Sequence, residues 1–90
     1  MKIKEGFVLE EVGGAYLAVA VGSLTGNFNG MVRLNNTGAF LWKLLSEGEY
    51  TRDELAKELA AACEGVTEAE VLPGVIDFEE RLRKAGIIQD

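Results

Sequence analysis

The stretch Phe28 to Leu45, FNGMVRLNNTGAFLWKLL, constrains the fold more than any other part of the chain. An Asn-Gly pair leads into a strand-like segment, Met31 to Leu34, and three polar residues, Asn35, Asn36 and Thr37, precede an apolar run of helical spacing. Any of the three can accept hydrogen bonds from the unpaired amides of a first helical turn. A strand passed directly into a helix requires a sheet and a helical layer to meet at that joint. Phe40, Leu41, Leu44 and Leu45 share one helical face, Trp42 is expected at its margin, and Gly48 offers a terminator.

Upstream of the joint the pattern is that of strands. Phe7 to Val12, FVLEEV, mixes apolar and acidic positions as a half-buried strand does, and Gly13-Gly14 then supplies a hairpin turn. Ala15 to Val21 is apolar on both faces and reads as the central strand of a small sheet. Between Gly22 and Gly30 two turn placements compete. A turn at Thr25-Gly26 leaves Asn27 to Leu34 as a third strand bulged at Asn29-Gly30; a type I′ turn at Asn29-Gly30 is the alternative. The first placement is favoured, because it makes a three-stranded meander whose third strand is a sheet edge.

Downstream, two capping boxes open two further helices. Thr51 and Glu54 have the spacing for reciprocal capping, as do Thr67 and Glu70. Leu55, Leu59 and Ala62 recur at helical spacing until Gly65, and Cys63 on this helix is expected to be a buried structural thiol. The third helix is expected to run to about Ala85, with Gly86 terminating it and Ile87 and Ile88 folding back as an apolar clasp. Pro73, six residues past the cap, predicts a kink or a fresh start at Gly74. Val71, Val75, Phe78, Leu82 and Ala85 form its core face, and Asp77, Glu80, Arg81 and Lys84 a solvated one. Leu72, Ile76, Glu79 and Arg83 make a half-apolar stripe that fits either a groove wall or a core margin. Together these elements predict an α+β domain over residues 1–90, three antiparallel strands followed by three helices.

Composition narrows the chemistry. The chain has no histidine and a single cysteine, so no Ser-His or Cys-His pair, internal disulfide or usual zinc set can form within it. Its carboxylates are dispersed, Glu54 and Glu70 being taken by caps, and its glycines match no phosphate-binding loop. The expectation is a protein that is not an enzyme and uses no cofactor or metal. A net charge of −6 opposes nucleic-acid binding. The longest apolar run, Ala15 to Val21, is too short to span a bilayer, and the N-terminus lacks a signal pattern, so a cytoplasmic, reduced location is expected. What remains is binding. The third strand, as an edge, can pair with an extended peptide, be protected by charge such as Arg33, or pair with a second copy in a homodimer.

The run from Phe28 to Trp42, the Thr51-led second helix with Asp53, Glu54 and Leu55, and the closing Ala85-Gly86-Ile87-Ile88 resemble the PqqD-like family. That family comprises the protein D of coenzyme pyrroloquinoline quinone (PQQ) synthesis and the recognition domains of ribosomal-peptide modification systems. The resemblance covers Phe7 to Ile88. It implies a winged helix-turn-helix-like fold and a chaperone-like adaptor that carries out no chemistry of its own. The adaptor would bind the leader of a precursor peptide as an added strand and present it to a modifying enzyme, typically a radical S-adenosylmethionine (radical SAM) maturase. Carried onto this chain, it assigns peptide binding to Phe28, Met31, Val32, Arg33 and Leu34 on the strand, and to Leu72, Ile76, Glu79 and Arg83 on the third helix. A winged-helix DNA-binding or regulatory domain is the alternative from another class.

Overall fold

The computed structural model describes residues 1–21 and 32–89. Its elements run β1 (Lys2–Ile3), β2 (Phe7–Val12), β3 (Ala15–Ala20), β4 (Val32–Leu34), α1 (Asn36–Glu47), α2 (Arg52–Ala62), α3 (Glu68–Lys84) and β5 (Ile88–Gln89). Strands β2, β3 and β4 form an antiparallel sheet in that order, followed in the chain by the three helices. Gly13 and Gly14 both adopt positive φ, at 57° and 83°, as a two-residue hairpin turn requires. The expected extension of the third strand back to Asn27, its bulge, and Phe28 and Met31 lie outside the described residues.

Register explains which sheet face is core. Leu9, Ala18 and Val32 stand opposite one another across the three strands, as do Glu11, Tyr16 and Leu34. Ala18 and Leu34 are buried, and Phe7, Leu9, Tyr16 and Val32 pack against the same core. The helices supply Leu41, Trp42, Leu45, Leu55, Ala56, Leu59, Val75, Phe78 and Leu82 to it. Trp42 is therefore a core residue and not a marginal one. It follows Leu41 on a helix with neighbours on several sides, so its indole is enclosed while Phe40 and Leu44 remain half-buried.

Asn35 is the cap of α1, its side chain accepting from the Gly38 amide at 2.8 Å. A Cβ on Gly38 would lie 3.1 Å from the Leu34 Cβ, so glycine lets the first turn of α1 close tightly under the end of β4. Both predicted capping boxes form, on Thr51 and Thr67. Cys63 corrects an expectation. It is the exposed C-cap of α2 and not a buried thiol, because it lies past the last turn that carries the packed Leu55–Leu59 face. Helix α3 runs without a break through Pro73. The bond that Pro73 cannot donate would have gone to the carbonyl of Ala69, which is exposed and so open to water.

The ends of the chain meet. β1 pairs antiparallel with β5, and Ile87 and Ile88 are buried beneath it. The apolar clasp was legible from the sequence, but its partner strand at Lys2–Ile3 was not. A two-residue strand has no periodicity to detect.

Candidate functional site

β4 is an edge strand among the described residues, with β3 on one side only. In an antiparallel pair the amide and carbonyl of one residue point the same way, and successive residues alternate. The Arg33 carbonyl accepts a hydrogen bond from Arg81 on α3, at 2.7 Å, so Arg33 is the residue that turns its backbone outward. Val32 and Leu34 face theirs toward β3. The edge therefore offers the Arg33 amide, and a carbonyl already covered by a guanidinium.

Two depressions flank that contact. One, of about 340 Å³, is lined by Val32, Arg33, Arg81, Lys84 and Ala85. The other, of about 460 Å³, lies against Tyr16, Leu34, Asn35 and Asn36 and shares Arg33 and Arg81 with the first. The Arg81 side chain thus bridges from α3 to β4 between them. A larger depression of about 1000 Å³ lies between β1 and the end of α1. Its Lys2, Lys4, Glu5, Glu47 and Glu49 already interleave opposite charges, with Lys2 3.8 Å from Glu49.

The structure brings together only part of the set expected from sequence. Val32 is half-buried toward the core, Arg33 is exposed and Leu34 is buried. On α3, two residues turn through about 200°, so Glu79 and Arg81 project from opposite flanks. Arg81 reaches β4, whereas Glu79 reaches Arg52 on α2. Leu72, Ile76 and Arg83 lie at helical spacing from Glu79 and share its flank. Glu79, in the stripe expected from sequence as a groove wall, thus points to α2. The depression beside β4 is lined on the α3 side by Arg81, Lys84 and Ala85. The i,i+4 pair of Asp77 with Arg81 is present but loose, at 4.0 Å.

Glu79 has a clear structural occupation. Its carboxylate accepts from Arg52 Nε at 2.8 Å and from an Arg83 terminal nitrogen at 3.1 Å, and its side chain is 8% exposed. The Arg52 hydrogen bond holds the Glu79 carboxyl below the ordinary carboxylate range; burial opposes this and Arg83 adds to it. The cluster ties α2 to α3 and so fixes how α3 presents its other flank to β4. Among the described residues no group of three histidine, cysteine or acidic side chains is placed to hold a metal. No helix among them is long and apolar enough to cross a membrane.

The model of the family described as coenzyme PQQ synthesis protein D (PqqD) matches residues 5–88. No curated protein sequence matches the chain. Among solved structures, TbiB1 in complex with the TbiA(beta) leader peptide is similar over 100% of both chains, with a TM-score of 0.72 and 20% identity. At that identity the likeness concerns the fold.

Proposed function

Because the chain belongs to the coenzyme PQQ synthesis protein D family, we propose that it is a peptide-binding adaptor for a ribosomally made precursor peptide. The leader adds as a strand along β4, in the trough between β4 and α3. The observation that carries this reading is the outward backbone position of Arg33 on β4, facing a helix flank across an open depression. An incoming strand pairs with such an edge through main-chain hydrogen bonds and places alternate side chains in the adjoining pocket. The similarity to TbiB1, whose structure contains a leader peptide, supports the same reading. The adaptor then presents the bound peptide to a modifying enzyme, a radical SAM maturase being the expected partner, and performs no chemistry itself. Within this reading Val32 and Arg33 supply the strand contacts, and Arg81, Lys84 and Ala85 the helix contacts.

Isotope-labelled protein titrated with leader peptides encoded beside it tests the proposal. Amide shifts should concentrate on Val32 to Leu34 and on the Arg81 flank of α3. A leader that the neighbouring maturase requires, yet that binds only elsewhere, would exclude strand addition. Pairing of the same edge in a homodimer competes with peptide, so sedimentation over a concentration range should show any self-association reversed by the leader.

A further inference from the structure

We infer that the trough along β4 selects an extended peptide carrying acidic side chains, and that Arg81 exchanges the Arg33 carbonyl for a peptide carboxylate on binding. The inference rests on the strand-addition reading and adds to it the charge of the ligand and the residue that senses it.

Charge is distributed unevenly over the molecule. Three of the nine basic residues, Arg33, Arg81 and Lys84, line one depression of a chain whose net charge is −6. Among the described residues, Arg33 and Lys84 have no carboxylate within salt-bridge distance, and Arg81 has only Asp77 at 4.0 Å. All three are exposed. The floor between them, Val32 and Ala85, is apolar and half-buried. A strand laid on β4 places every second side chain on one face, where a carboxylate would meet these cations.

Arg81 does more than add charge. Its guanidinium covers the outward edge carbonyl that β4 offers among the described residues, and its side chain lines both depressions. A neutral peptide must displace it to solvent and the loose Asp77 contact alone. A peptide with a carboxylate in register replaces a charge-to-neutral hydrogen bond with a charge-to-charge one, which is stronger, and frees the Arg33 carbonyl in the same movement. Edge opening and acid recognition are thereby one event.

The test uses capped peptides Thr-X-Leu-X-Val-X-Thr with X as Glu, Gln or Lys, followed by amide shifts and by fluorescence anisotropy. The Glu peptide should shift the Arg33 amide and bind about tenfold more tightly than the Gln peptide, with the advantage shrinking as salt is raised. Arg81→Met should remove most of that advantage while leaving the Gln peptide unchanged or tighter, since the edge carbonyl is then uncovered. Lys84→Gln, an exposed change, should reduce the advantage partially and guards against misfolding of the first variant. Glu and Gln peptides binding equally at Arg33 would overturn the acidic selection and leave strand addition standing. Preference for the Lys peptide would overturn it as well. If no peptide shifts Arg33, strand addition itself fails, and this inference with it.

Discussion

Glu79→Ala removes the carboxylate that joins Arg52 of α2 to Arg83 on α3. Glu79 is only 8% exposed, whereas Arg52 and Arg83 keep 46% and 40% of their side chains in solvent. Both guanidiniums can therefore turn outward and hydrate, and no charge is left buried. Hydrogen bonds to charged groups contribute about 1.5–3 kcal/mol each when enclosed, and much less when one partner is wet. With two such bonds at 2.8 and 3.1 Å, and a small gain in helix propensity from alanine, the net loss for Glu79→Ala is about 2 kcal/mol. In a chain of 90 residues this lowers Tm by about 10 °C.

Titration gives that magnitude a second readout. The folded Glu79 carboxyl lies below its ordinary range, so the unfolded chain binds the proton more readily. Its contribution is complete above the unfolded value of about 4.3 and is lost as pH falls through the folded one. Thermal melts from pH 7 to acid should show wild type falling more steeply than Glu79→Gln below about pH 4.5, with the two curves converging. An unchanged Tm for Glu79→Ala at pH 7, or parallel acid limbs for wild type and Glu79→Gln, would refute the clamp.

Gly38→Ala should destabilise by about 1 kcal/mol in denaturant melts, because the 3.1 Å approach to Leu34 outweighs alanine's helix propensity. Pro73→Ala should stabilise by about 1–2 kcal/mol, restoring the bond to Ala69 within an otherwise continuous helix; a loss of stability would show that Pro73 is packed to advantage. Thr67→Ala should cost about 1 kcal/mol by removing the hydroxyl that accepts from the Glu70 amide. Arg33→Pro should leave the fold intact, as proline is tolerated on an outward edge position, and should weaken leader binding at least about tenfold through loss of the edge amide.

Local signals carried most of the fold. The β2–β3 hairpin, the caps at Asn35, Thr51 and Thr67, and the core face of α3 each arise from neighbours within a few residues, where periodicity and side-chain capping act. The same range of interaction explains the expectations that the structure corrected. Trp42 and Cys63 were placed by their own helices, but burial depends on what packs against a helix and where that packing ends. A helix has two flanks beside its core face, and periodicity marks both without saying which neighbour each will meet. From the sequence, the half-apolar stripe through Glu79 fits a groove wall or a core margin equally. Only the tertiary arrangement turns it to α2 and sets Arg81 over the β4 edge, because Arg52 and Arg33 are separated from their α3 partners by 27 and 48 residues. The sequence by itself determined the β2–β3 hairpin, the three helices and the absence of histidine chemistry. The tertiary structure decided which side of α3 faces the β4 edge, and so set Arg81 and Lys84 beside it, because those contacts join residues far apart in the chain.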